Sequence, residues 1–469
     1  MKKRLFCMFL TAFMCVGLFS ACKPGKKTSS ETSTNSCVPA FDDGVPDMDL
    51  KGYEFVIGEA WGEKLTLEPG SSDLVDAILE RNKKIEERFK CKISYEYYDP
   101  VSFYDTVYPI LMSGEKFADV ITPTLFSYGK FVNGDYLYDL NTLPHLKLDE
   151  PYWFDLYNEA SVTTDGRRLG ASNFMANPYK RCFGVFFNKR LVQELKLDNP
   201  YDLLASGKWN WENFHRLINQ SMKDVNNDAV FDDNDIYSVT GGLDGGIQAL
   251  FISAGQKMFE VDDTGRVSYA MTKPEVLPTL TSLKNMFAAP GSYYAGSWDP
   301  ARCTQQFVDG KTTFYLNLAT RDTSLRDMKD DFGLVPLPLG PNQTKFLSPI
   351  DHNTAIVCVP FNIDNPEATG AILQAIACAS SAEQKIWEDE VGGLYYRDEE
   401  SFTNLKEHIL PGMTFDPLFM YHRLAPEFFK YTTTTVWEPV VRDRALDAAT
   451  LINAGKEVVQ TLIDEIINK

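Results

Sequence analysis

Two residue patterns in this chain have the types and spacing to do chemistry. One is an acidic loop spaced for a cation, Asp224-Val225-Asn226-Asn227-Asp228-Ala229-Val230-Phe231-Asp232-Asp233-Asn234-Asp235. Asp224, Asn226, Asp228 and Asp235 place oxygen ligands where a calcium loop carries them. A calcium ion held there is expected to be structural, because no substrate chemistry surrounds it. The bland alternative is an acidic surface loop after a helix. The other pattern is a scatter of aromatic and planar polar side chains outside periodic segments, suited to holding a polar solute. Covalent catalysis finds no such support. There is no G-x-S-x-G, no H-E-x-x-H, no P-loop and no G-x-G-x-x-G. The chain has 5 histidines, of which His145, His215, His408 and His422 sit in ordinary polar or helical contexts. Carboxylate pairs abound among 65 acidic residues, yet none is singled out as a glycosidase pair. The chain is therefore not read as an enzyme, and no cofactor is required beyond that calcium candidate.

The elements that must position these residues belong to a chain of 469 residues, long enough for two or three domains. Lys2, Lys3 and Arg4 precede the apolar run Leu5–Leu18, which reads as a secretory signal. Net charge is −19, and loss of those three cations leaves −22, which argues against nucleic acid and against a polybasic membrane patch. Lys23–Ala40 is rich in Ser, Thr and Lys and reads as a flexible tether. No cysteine pair forms C-x-x-C, so neither a zinc ribbon nor a thioredoxin site is suggested, and the exported cysteines fit buried thiols as well as disulfides.

Strands then alternate with helices. Tyr53–Gly58, Cys91–Tyr98 and Asp119–Thr122 read as strands, separated by helices over Ser71–Lys90 and Val101–Ser113. That alternation implies parallel pairing with helices on the faces, and ligands gather at the carboxyl ends of such strands. Two loops there are of interest, Glu59–Glu63 and Pro123–Tyr128. Farther on, Cys182–Phe187 fits a buried strand, Asn188 and Asn210 can each cap a helix, and Ala355–Val359 is a further buried strand. Pro366–Cys378 reads as a helix, and Ser380-Ser381-Ala382-Glu383 as the capping box of another. Trp209 and Trp211, at a helix start, read as structural.

The order of these words resembles the bacterial extracellular solute-binding proteins of the sugar-binding type, similar to maltose-binding protein. The words are Asp165-Gly166, a small strand, the aromatic strand ending in Asn188-Lys189, a Trp-containing helix start, Phe307-x-x-Gly310-Lys311, and the Val335–Pro341 connector with its alternating prolines. The resemblance implies an α/β, two-lobed periplasmic-binding-protein-like fold of type II. Each lobe would be a mixed, mainly parallel sheet flanked by helices, joined by hinge crossovers. Residues 41–172 and 338–393 would form lobe 1, and 173–337 with 394–469 lobe 2, after a signal at 1–21 and a tether at 22–40. Leu18-Phe19-Ser20-Ala21-Cys22 resembles the bacterial lipobox, which implies lipidation of Cys22 and a receptor anchored on the outer face of the cell membrane, expected to be a monomer. The implied partners are a small solute, an oligosaccharide above all, and the permease subunits of an ABC importer. A peptide or other charged solute on the same fold is the alternative, and a surface glycan hydrolase a more distant one. The 224–235 loop is similar to dockerin-type and EF-hand-like loops, but Ala229 stands where their turn glycine belongs and Asp235 where they carry Glu.

Candidate ligand contacts lie on loops at the expected cleft edges. Trp61 and Trp298 are stacking platforms, Trp437 lies in a Thr-rich loop, and Thr124 follows the third strand. Tyr179 and Arg181 lie at the first crossover. The resemblance adds Asp244 in a glycine turn, Asn317 and Arg321 after the Gly310-Lys311 strand, and the trio Asp351, His352 and Asn353. Thr320 stands where the family frequently has a Trp. With 13% aromatic residues, the composition suits sugar faces stacked on rings while hydroxyls meet planar polar groups.

Overall fold

The computed structural model describes residues 42–469 apart from 61–66, 158–159, 243–245, 297–298, 321–322, 435, 438–439 and 441–447. The expectations for Cys22, Trp61, Asp244, Trp298 and Arg321 lie outside the described residues. Two sheets organise the chain. The first is built on β1 (Tyr53–Glu59), whose alternation buries Phe55 and Ile57 completely. Each such side chain contributes about 1.5–3 kcal/mol. β2 (Cys91–Tyr97) and β3 (Val120–Thr122) flank it in the order β2-β1-β3, both parallel to it. Parallel strands need crossovers. These are α1 (Asp73–Phe89), capped by the Ser72 side chain on the Val75 amide, and α2 (Phe103–Ser113).

The expected strand at Ala355–Val359 returns beside β3 as isolated antiparallel bridges, Ile121 to Cys358 and Thr124 to Ala355, with Ala171 to Val357 on its other side. It is a seam rather than a continuous ladder. α3 (Leu125–Asn133) follows β3 and packs against the short helix at Leu418–Tyr421. Their approach is set by Gly129, where a Cβ would fall 2.3 Å from the Met420 carbonyl oxygen.

The second sheet holds β4 (Phe183–Asn188), β5 (Tyr237–Gly241), β6 (Tyr293–Tyr294), β7 (Thr312–Leu318) and β8 (Phe332–Val335), in the order β6-β5-β7-β4-β8. β5, β6 and β7 run parallel, and β4 runs antiparallel to both β7 and β8. All of β4 is buried, as its unbroken apolar run requires of a strand covered on both faces. Asn188 caps α4 (Lys189–Glu194) on the Leu191 amide, and Asn210 caps α5 (Trp211–Ser221) on the Asn213 amide, as the sequence leads one to expect. Trp209 is fully buried and its indole N–H donates to Pro336 O at 2.7 Å, fixing the proline connector to the start of α5.

One helix differs from expectation. α6 runs unbroken from Pro366 to Tyr395, 30 residues, with no new start at Ser380. The Ser380 hydroxyl bonds back to Ile376 O at 2.7 Å, a continuation rather than a cap, and nothing between Pro366 and Gly392 interrupts the ladder. Among the described residues Cys91, Cys182, Cys303, Cys358 and Cys378 are free thiols, and no helix is long and apolar enough to cross a membrane.

Candidate functional site

A cavity of about 450 Å³ opens at the carboxyl ends of β1, β2 and β3, where such sheets place ligands. Glu59 closes β1, Tyr95 and Tyr97 end β2, and Thr122 ends β3. α1 adds Leu74, Ile78 and Arg81. The crossover from the first sheet to the second contributes Phe174, Asn177, Lys180 and Arg181, and the end of β7 contributes Thr320. The second half of α6 brings Glu383, Trp387 and Tyr395. Elements attached to both sheets therefore meet at one cavity.

Its charges are arranged in opposed pairs. Arg81 and Glu383, each about 5% exposed, form an ion pair at 3.0 Å between α1 and α6. Arg81 also donates to the Tyr95 hydroxyl at 2.7 Å, the Ser380 hydroxyl at 3.0 Å and Asn82 Oδ1 at 2.9 Å. Burial pushes the Glu383 carboxyl up even against the pull of Arg81, and its Oε1 is buried without a partner. Arg181 clasps Asp351 with both ends of its fork, Nε to Oδ1 at 2.8 Å and a second contact from Nη2 to Oδ2. Lys180 faces Glu59, whose carboxyl burial raises to about 7 although Lys180 and Arg81 hold it down.

The apolar part is aromatic. Trp387 stacks on Tyr179 with centroids 5.9 Å apart and meets Phe174 edge-on at 6.2 Å. Asn177, at φ 37°, is a left-handed residue that turns the crossover into Pro178, and its Oδ1 is buried and unpartnered. A wall of aromatic faces with acceptors left free is suited to a ligand that offers both apolar faces and hydrogen-bond donors.

Of the residues expected from sequence, Arg181 and Asn353 line the cavity. Asp351 stands behind them, positioning Arg181 and accepting the Asn353 amide at 3.1 Å. Tyr179 supports Trp387 from outside the wall. Thr124 is buried at the start of α3, while Thr122, two residues earlier, reaches the cavity. His352 packs instead with Phe126 and His422, at 5.4 and 5.3 Å between ring centroids. Asn317 donates to the Tyr315 hydroxyl at 2.6 Å, and Thr320 lines the wall in its place. Trp437 corrects the expectation of a loop platform. It is helical and fully buried against Phe251, 5.0 Å between centroids, so its ring face is spent on the core.

In the acidic loop, the carboxylates are spent on backbone amides. Asp224 accepts from Asn227 and Ala229, Asp228 from Val230, and Asp235 from Val225 and Asp232. Among the described residues no three His, Cys, Asp or Glu side chains are grouped to hold a metal.

Sequence reasoning missed Arg81, Tyr95, Glu383 and Trp387. Arg81 and Glu383 lie on helices whose periodicity explains only their apolar neighbours. The one usable signal was a charged residue on the otherwise buried stripe of Leu74, Ile85 and Phe89.

Two sheets joined by crossovers, with a lined cavity at the strand ends between them, define a two-lobed α/β solute-binding fold. The family model described as bacterial extracellular solute-binding protein matches residues 72–386, and the chain belongs to that family, whose setting is extracytoplasmic. No curated protein sequence matches the chain. Solved structures of the same fold include the cyclic α-maltosyl-1,6-maltose binding protein of Arthrobacter globiformis, with TM-score 0.62 and 13% identity over 88% of this chain and 100% of that one. The sugar-binding protein MalE of Xanthomonas citri gives TM-score 0.60 and 11% identity over 88% and 98% of the two chains. UgpB of Mycobacterium tuberculosis, solved with glycerophosphocholine, gives TM-score 0.57 and 16% identity over 88% and 99%.

Proposed function

We propose that this chain is a lipid-anchored receptor that captures a carbohydrate, an oligosaccharide by preference, and delivers it to an ABC importer. The observation that carries this reading is the cavity wall. Its cations are matched by carboxylates, Arg81 by Glu383 and Arg181 by Asp351, so little net charge is offered to an ionic ligand. Trp387, Tyr97 and Tyr395 supply ring faces, while Glu383 Oε1 and Asn177 Oδ1 are acceptors awaiting donors. A neutral polyol answers both demands. Two of the structural relatives bind α-linked maltosyl sugars or are named for sugar binding, which agrees with the reading.

Capture is by hinge closure of 41–172 with 338–393 against 173–337 with 394–469, and Cys22 carries the lipid. The importer supplies the energy. A titration of Trp387 fluorescence against mono-, di- and oligosaccharides tests the proposal. A saturable change with at least one sugar, lost in Trp387→Phe, is the expected result. Silence across the panel overturns the carbohydrate reading.

A further inference from the structure

Among the charged groups of the cavity wall, Glu59 is set apart. Arg81 is engaged by Glu383, Tyr95 and Asn82, and Arg181 by Asp351. The Glu59 carboxylate makes no hydrogen bond among the described residues and feels other charges only through space. It ends β1 at the cavity, half-buried, with protein crowding its other sides. Among the described residues, the elements around it present few charges. Lys180 comes from the 178–181 turn and Arg81 from α1. β2 brings Tyr95 and Tyr97, α6 brings Glu383, and β3 brings only the uncharged Thr122. Arg81 is already neutralised by Glu383, so among the described residues Lys180 is the cation left to balance Glu59.

A desolvated acid with no donor directed at it favours its neutral form, and a captured polyol reverses that preference. An ionised carboxylate accepts only, at two oxygens, and sugar hydroxyls are the donors it lacks. We propose that Glu59 is a proton-exchanging ligand contact: protonated in a fraction of molecules before capture, it gives up that proton to solvent as ligand hydroxyls donate to its carboxylate. This rests on the carbohydrate reading above and adds to it a pH dependence of capture. The exchange balances as one carboxyl O–H bond broken, one proton passed to buffer, and a carboxylate left beside Lys180 and the ligand donors.

The free carboxyl sits near neutrality, at about 7, so the sign is determined. Below that pH the carboxyl must first lose its proton before binding, and affinity falls as pH falls. Between pH 8 and pH 6 the ionised fraction drops about tenfold, and affinity with it. At pH 7 capture releases about half a proton per site.

The test uses the full chain and two readouts. Carboxyl-carbon NMR of the protein without sugar, from pH 5 to 9, is expected to show one Glu titrating near 7 that disappears in Glu59→Gln. Calorimetry at pH 7 in phosphate and in Tris, with maltotriose, cyclic maltosyl-maltose and glycerophosphocholine as probes, counts the protons released. Release is expected for the probe that binds, absent in Glu59→Gln. Lys180→Met should move both the NMR midpoint and the affinity midpoint to higher pH, because the cation that favours ionisation is gone. A Glu59 that titrates in the ordinary carboxylate range overturns the proposal whatever binds. Binding without proton release overturns the coupling and leaves the carbohydrate reading standing. A panel in which nothing binds overturns both.

Discussion

Removing one partner of the Arg81–Glu383 pair should be far more damaging than removing both. The two groups sit 3.0 Å apart with about 5% of each side chain exposed. At an effective dielectric of about 20 their attraction is roughly 5–6 kcal/mol, while the desolvation of each ion costs several kcal/mol. The upward displacement of the Glu383 carboxyl says the same thing, since burial outweighs Arg81 in setting it. The pair as a whole is therefore close to neutral for stability, and an orphaned ion is not. Glu383→Met should cost about 3–5 kcal/mol. Arg81 would retain Tyr95, Ser380 and Asn82 as acceptors but lose its countercharge. Arg81→Met should cost a similar amount by stranding the carboxylate. The double variant should lie within about 1.5 kcal/mol of the parent, because two methionines fill the space between α1 and α6 without charge. Urea unfolding followed by far-UV circular dichroism gives all four corners of the cycle, and the coupling energy follows by difference. Additive single substitutions, with coupling below about 0.5 kcal/mol, would refute the reasoning. The pair would then be solvated through the cavity it lines.

Trp387→Ala should weaken sugar binding by at least about tenfold, the equivalent of roughly 1.4 kcal/mol, with Trp387→Phe intermediate, as measured by calorimetry on whichever sugar binds. Asp416 is fully buried and accepts the amides of Met258, Phe259 and Leu418, so Asp416→Ala should cost about 3–5 kcal/mol in urea while Asp416→Asn, which keeps one acceptor, costs less. Gly129→Ala should lower the melting temperature by several degrees through its clash with Met420 O, and a Tm equal to the parent's would show that α3 can move aside. His422 is held well below the usual histidine range, first by burial and then by His352 and Arg423. The unfolded chain therefore takes up a proton that the folded chain refuses. Stability is present above about pH 6.5 and falls by about 1.4 kcal/mol per pH unit below it. A difference curve between the parent and His422→Leu that stays flat from pH 7 to 5 would contradict this.

Local pattern reached far into this molecule. The alternation of Tyr53–Glu59, the apolar stripe of Asp73–Phe89 and the asparagine caps at 188 and 210 were legible because each depends on residues a few positions apart. The ordered sequence of such words was enough to place the chain in its family. Ala355–Val359 was legible as buried, although only its neighbours, Ile121 and Ala171, decide that it is a seam of bridges.

The cavity chemistry was settled elsewhere. Arg81 meets Glu383 across 302 positions, and Arg181 meets Asp351 across 170. Periodicity carries no information about which charge on one helix faces which on another. The same holds for tryptophan. Trp437 and Trp387 look alike as aromatic side chains, yet one is sealed against Phe251 and the other forms part of the cavity wall. The sequence determined which segments are strands, helices and connectors, because hydrophobic period and capping are local. Tertiary structure alone decided which polar groups are paired, which are left open, and therefore what this receptor can hold, because pairing depends on distances between segments that only the folded chain brings together.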